Sequence, residues 1–304
     1  MPATTVVVVT WRGAAHLGDC LDGLAAQTRP HRTLVVDNAA DEATRRVLAE
    51  HPSAPEVLRL GTNTGYAGGI AAALDDVETE FVAWLNDDAV PSPGWLADLE
   101  AAAGPAVGAV TSRLVRPDGT VQSTGVGLTA DGHGHDLAET SAPAPFGFCG
   151  GAALVRTRAL RDVGGVPAEF FCYYEDTDTS WRLRLAGWAV AAVPTGVHHR
   201  HGASTRPGSA AFHRWNERNR LLTLLRCAPA GVALRELARF AALTALLPFR
   251  GRAAAEAANF DPRLRLRVLA DIALRTHWLW RTRRDVTRRS TVGRGSVWRH
   301  WAGG

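Results

Sequence analysis

The chain has 304 residues, 46% of them apolar and 21% charged, a globular rather than a disordered composition. Cys20, Cys149, Cys172 and Cys227 form no Cys-x-x-Cys pair, which argues against a disulfide framework or zinc cluster and for a reducing cytoplasm. Net charge is +4 and every basic residue is Arg; residues 250–304 hold thirteen Arg against four acids, so a mildly acidic body carries a basic tail suited to lipid headgroups, a diphosphate or nucleic acid.

Met1 leads straight into a strand with no basic n-region, so no signal peptide is expected, and no apolar window is long enough to predict a membrane-spanning helix. Residues 5–10 are a β-branched run that predicts a central strand. Leu17, Leu21 and Leu24 follow at helical spacing. Residues 33–36 predict a second strand ending in Asp37-Asn38, with Asp41 placed to cap the next helix. Residues 57–60 predict a third strand, and residues 81–85 a fourth that ends in Asn86-Asp87-Asp88. This alternation predicts an α/β fold, a mostly parallel sheet covered by helices on both faces.

Thr10, Asp37, Asn63 and Asp88 thus stand at strand ends, the edge where open α/β sheets bind ligands. Adjacent carboxylates at 87 and 88 repel unless a cation or solvent screens them, although a turn capping the helix near Pro93 explains the same residues. Gly65, Gly68 and Gly69 follow the third strand without the spacing of a dinucleotide fingerprint. They suit a helix N-terminus that receives phosphate or ribose, or a loop that needs positive φ.

Residues 110–115 and 121–128, around the turn at 117–120, predict a β-hairpin. Residues 129–147 read as a long surface loop in which His133 and His135 are solvated. A buried strand over 148–155 opens with Gly150-Gly151. Glu175, Asp176 and Asp178 then fall in the first turn of a helix; a capping role accounts for one carboxylate there and less well for three. His198, His199 and His201 form either a basic surface turn or a source of metal ligands. Beyond Arg206 the pattern is helical only. Its basic amphipathic helices, edged with Trp, suit a membrane surface or packing on the sheet, and from Arg281 a loosely ordered tail is expected.

Taken together, residues 6–10, 36–38, 63–66, 86–88, 149–155, 174–178 and 199–204 resemble the family-2 inverting glycosyltransferases of GT-A fold, in the bacterial rhamnosyltransferase-like branch. The resemblance covers about residues 4–205 and sets off residues 206–304 as an Arg-rich helical C-terminal region. It implies that Thr10, Asp37, Asn63, Gly65 and Asp87 hold the donor nucleotide. Asp88 and His199 would hold Mn²⁺ or Mg²⁺, with Asn86 replacing the first acid of the family's Asp-x-Asp, and His198 and His201 as substitutes for His199. Asp176 would be the catalytic base and Glu175 its positioning partner. Gly150, Gly151, Trp181 and Arg182 would meet the acceptor or donor sugar.

The implied activity is metal-dependent, inverting transfer from a nucleotide-diphosphate sugar, dTDP-rhamnose or a UDP-sugar, to a hydroxyl of a glycan or lipid-linked acceptor in cell-envelope or polysaccharide assembly. The expected place is the cytoplasm, with peripheral contact at the inner face of the plasma membrane through residues 206–304. A soluble natural product is the alternative acceptor, and non-catalytic nucleotide-sugar or carbohydrate binding the alternative class. The segment Trp11-Arg12-Gly13 is too thin for the triphosphate loop of a sugar nucleotidyltransferase. No nucleic-acid recognition module is present.

Overall fold

A computed structural model describes residues 2–138, 144–200, 208–249 and 258–302. The strands are β1 (Thr4–Thr10), β2 (His31–Asn38), β3 (Glu56–Leu60), β4 (Phe81–Asn86), β5 (Ala89–Pro91), β6 (Val107–Val115), β7 (Val121–Ser123), β8 (Val126–Leu128), β9 (Gly134–Asp136), β10 (Ala152–Arg156) and β11 (Ala189–His199). The helices are α1 (Leu17–Ala25), α2 (Glu42–Glu50), α3 (Gly65–Ala73), α4 (Trp95–Ala102), α5 (Thr157–Asp162) and α6 (Glu175–Leu185), followed by α7 (Ala210–Cys227), α8 (Ala230–Leu246), α9 (Pro262–Leu274), α10 (Thr276–Arg289) and α11 (Arg294–Trp301).

The main sheet runs β3-β2-β1-β4-β10-β6-β11-β5, with β7 paired to β6. The first four strands are parallel; β10 lies antiparallel between β4 and β6, and β5 antiparallel beside β11. The sheet is therefore mixed, with a parallel half that delivers the ends of β1, β2, β3 and β4 to one edge. All seven residues of β1 are buried, because both faces of the sheet are covered.

The pleat divides the core. Val6, Val8, Val35, Ala83 and Leu85 face α1 and α4, while Val7, Val9, Val36, Val82 and Trp84 face α3, α5 and α6. That second apolar cluster continues without a break into Leu221, Leu264, Val268 and Val297 of the C-terminal helices.

Three expectations are corrected. Only residues 107–115 and 121–123 pair as the expected hairpin; β8 leaves the main sheet at Gly125 and pairs with β9 instead. The residues read as a surface loop include β9 and the fully buried Phe146. The chain beyond Arg281 is helical, not loose: Val286 and Val297 are buried, and Trp298 stacks on Trp181 at 5.9 Å. Local periodicity carries no record of that distant indole.

Candidate active site

The parallel strand ends, Gly150-Gly151, the N-terminus of α6 and the first turns of α7 enclose one cavity of about 560 Å³. Asn63, Gly65, Asp87, Asp88, Gly150, Gly151, Glu175, Asp176 and His199 all line it.

Thr10 and Asp37 do not line it, and the pleat is the reason. Val9 and Asn38 point into the cavity, so the adjacent Thr10 and Asp37 point to the opposite face. Thr10 Oγ1 donates to Asp87 Oδ2 at 2.7 Å. Asp37 is buried, accepting from Ala40 N at 2.7 Å and Arg45 Nε at 3.2 Å. Asn38 takes the place at the cavity wall. Its amide nitrogen donates to Asn63 Oδ1 at 3.1 Å and Gly65 O at 3.0 Å, and its oxygen accepts from Thr64 N at 2.8 Å. These bonds fix the β3–α3 turn.

Gly65 has φ +74°, and a Cβ there would lie 2.1 Å from the carbonyl oxygen of Phe171, so only glycine fits. The same carbonyl accepts from Ala67 N at 3.0 Å. The donor-side turn is thereby docked on the segment that leads into α6.

At the end of β4, Asp88 Oδ1 lies 3.1 Å from His199 Nε2. Gln122 Oε1 faces His199 Nδ1 at 2.9 Å; a carboxamide oxygen accepts only, so Nδ1 carries a proton and Nε2 is the ring nitrogen turned toward Asp88. Asn86 Nδ2 lies 3.1 Å from the same nitrogen. Burial works to raise the Asp88 carboxyl, but the hydrogen bond from His199 and the charges of His199 and His16 outweigh it and hold it below its ordinary value.

Among the described residues no three His, Cys, Asp or Glu side chains gather to hold a metal. Two donors do converge, one carboxylate and one oriented imidazole, and their 3.1 Å spacing suits neighbouring ligands of one octahedral cation. The pair fits a divalent ion that takes its other ligands from diphosphate oxygens and water. His198 points outward from β11, and His201 lies outside the described residues.

Opposite this pair stands the start of α6. Phe171, Tyr173 and Tyr174 adopt φ of 64°, 70° and 68°, a run of left-handed non-glycine residues that needs outside support. Asn219 of α7 supplies it: its fully buried Nδ2 donates to the carbonyls of Phe170, Cys172 and Tyr173 at 2.8–2.9 Å. Arg218 adds a bond to Phe170 O at 2.6 Å.

The turn presents Asp176, whose Oδ2 accepts from Gly150 N at 2.9 Å and whose Oδ1 accepts from Thr177 N at 2.5 Å. Burial raises the Asp176 carboxyl, the two backbone donors offset part of that rise, and the charge of Asp136 adds to it. Glu175 is more deeply buried; loss of solvent and then the Asp176 charge push it up to about 8. Its Oε2 has no hydrogen-bond partner among the described residues.

Trp181 and Arg182, expected at the sugar, lie in the core. At about 100° per residue, α6 carries Trp181 round to the far side from Asp176. Trp181 is fully buried between Phe146 and Trp298. Arg182 is spent on Asp178 Oδ1 at 2.7 Å and the carbonyls of Val163 and Gly165 at 2.8 Å.

His133 keeps 41% of its side chain exposed, as a solvated residue does, and also sits 3.0 Å from Asp131 and 3.8 Å from Glu217. His135 and Asp136 line the cavity, as do Gln122 and, from α7, Phe212, Trp215 and Asn216. The sequence named His135 only as a solvated residue, and Asp136, Gln122, Phe212, Trp215 and Asn216 were not singled out as site residues. Asn38 alone had a signal, its place beside Asp37 at a strand end.

A mixed sheet with ligand-facing strand ends, paired carboxylates and a carboxylate–imidazole pair in one cleft is the frame of a nucleotide-sugar transferase. The chain belongs to glycosyl transferase family 2, whose model matches residues 5–164. It is 28% identical over 248 residues to the N-acetylglucosaminyl-diphospho-decaprenol L-rhamnosyltransferase of Mycobacterium tuberculosis, covering 69% of this chain and 81% of that protein. An O-antigen biosynthesis protein of Myxococcus xanthus is 30% identical over 226 residues, 67% of this chain but only 18% of the longer relative.

Among solved structures, the mannosyltransferase of Pyrobaculum calidifontis in complex with GDP-Man and Mn²⁺ superposes with TM-score 0.55 at 20% identity, covering 99% of this chain and 87% of that one. TarS of S. aureus in complex with UDP-GlcNAc gives 0.54 at 20% identity, over 78% and 71%. The fold is therefore GT-A, and the protein is a glycosyltransferase enzyme with rhamnosyltransferase relatives.

Proposed function

We propose that the protein moves a sugar from a nucleoside-diphosphate donor to an acceptor hydroxyl in one displacement with inversion. The observation that carries this reading is that Asp176 and the Asp88–His199 pair line the same cavity, whose volume of about 560 Å³ is large enough for a sugar. The donor nucleotide lies against Asn38, Asn63 and Gly65, and its diphosphate points to Asp88. Asp88 and His199 would hold Mn²⁺ or Mg²⁺, which would supply positive charge to the departing diphosphate.

Asp176 takes the proton of the acceptor hydroxyl as that oxygen attacks the anomeric carbon opposite the leaving group. The backbone donors at Gly150 and Thr177 fix the orientation of its carboxylate. Glu175 keeps its proton at neutral pH and is left to donate to a sugar hydroxyl. The relatives favour dTDP-rhamnose or a UDP-sugar as donor and a lipid-linked glycan as acceptor, in envelope polysaccharide assembly. No helix among the described residues is long and apolar enough to cross a membrane, so contact with such an acceptor would be peripheral.

The test is a panel of UDP-, dTDP- and GDP-sugars with Mn²⁺, read by thermal shift and then by release of the nucleoside diphosphate. One donor should stabilise both the wild type and Asp176→Asn, with turnover only in the former. Absence of any stabilising donor would sink the reading.

A further inference from the structure

Seven large apolar side chains stand exposed among the described residues, and all seven belong to the C-terminal helical region. Five of them, Leu234, Leu246, Phe249, Leu266 and Leu274, lie on α8, just after it, or on α9, and are 53–87% exposed. The two helices pack on α7 and on each other. Buried Arg265 of α9 joins them, donating to Thr244 Oγ1 at 3.0 Å and Phe240 O at 3.2 Å over the Phe240 ring.

The charge on these outward strips has one sign. The exposed positions of α8 and α9 include Arg235, Arg239, Arg263 and Arg267 and no carboxylate. The described acids of the region are each paired or capping. Glu217 is buried against Arg220, Glu236 is buried beneath Arg235 at 3.0 Å and Arg239 at 3.9 Å, Asp271 pairs with Arg214, Asp285 with Arg288, and Asp261 caps α9; Glu256 lies outside the described residues. Single exposed leucines are ordinary. Five large apolar groups on two adjoining helices, interleaved with arginines and without one acid, are not. They match a surface that sinks its apolar groups below a layer of phosphates.

We propose that the outward strips of α8 and α9 dock the protein on an anionic lipid bilayer. This stands apart from the transfer chemistry, since no residue of the cavity takes part. Neither strip is long or apolar enough to insert, so binding is reversible and needs both components.

The test is flotation of the full chain with vesicles of phosphatidylcholine containing 30% phosphatidylglycerol, against pure phosphatidylcholine. The wild type should float with the anionic vesicles and release in 0.5 M salt. Leu266→Asp with Leu274→Asp, and separately Arg263→Glu with Arg267→Glu, should each lower the bound fraction about tenfold or more. Both pairs are exposed, so the melting transition should be unchanged, and Leu274→Asp alone serves if a double variant fails to fold. A wild type that stays at the bottom of the gradient, or variants that float equally well, would overturn the proposal. So would a wild-type dimer on gel filtration that the leucine variants split, which would make this face a self-association surface.

Discussion

The side-chain amide of Asn219 donates to the carbonyl of Cys172 at 2.8 Å, tying a C-terminal helix to the turn that presents the paired acids of α6. The same amide serves two further carbonyls across three left-handed residues. Asn219→Ala should cost about 2–4 kcal/mol by leaving buried carbonyls unpaired. It should lower kcat through Asp176 and also raise the donor KM, because the proposed donor turn at Gly65 is docked on Phe171 of the same segment. Denaturant unfolding with steady-state kinetics measures both, and an unchanged kcat would remove the turn from the mechanism.

Gln122 Oε1 orients the His199 ring from Nδ1 at 2.9 Å. Gln122→Ala should weaken Mn²⁺ affinity about 10- to 100-fold, as loss of a partner that orients a ligand does, while Asp88→Ala should abolish metal-dependent turnover. Mn²⁺ titration of donor binding separates the two. Metal-independent turnover in Asp88→Ala would refute the ligand assignment.

Glu175 gives the fold a pH dependence whose sign follows from its environment. Its folded value of about 8 exceeds the ordinary 4.5, so the folded chain keeps a proton that the unfolded chain releases. The stabilisation is complete below about pH 4.5 and is lost as pH rises through about 8. Glu175→Gln removes this loss. Its melting temperature relative to wild type should climb by about 2–5 °C between pH 6 and pH 9. Parallel curves for the two proteins would show that Glu175 is ionised throughout.

Trp181→Ala should destabilise by about 3–5 kcal/mol through the void left between Phe146 and Trp298. At temperatures where the variant is folded, its KM values should match the wild type. A selective rise in acceptor KM would return Trp181 to the binding site.

The four strand ends were legible because β-branched runs punctuated by Asn and Asp declare themselves locally. Which side chain of each pair enters the cavity was not. The assignment of Asp37 rather than Asn38 turns on one step of the pleat, and register depends on neighbouring strands that no local pattern names. Gln122 and Trp215 were illegible for a related reason. Gln122 stands in the expected hairpin but meets a partner, His199, 77 residues away, and Trp215 reaches the cavity only through the packing of α7 on α6. The chain also turns at Arg275 between α9 and α10, which keeps Ile272 and Leu279 both buried, where helical spacing alone would run on.

The backbone of Thr291 and Val292 donates to Leu185 O at 2.8 Å, and Trp298 covers Trp181 from the last helix. The chain thus fastens its far end to the helix that begins with Glu175 and Asp176. Shortening the protein from that end would uncover the back of the catalytic helix well before the cut reached a residue of the cavity, and a minimal transferase made in this way would lose its acid pair by unfolding rather than by deletion.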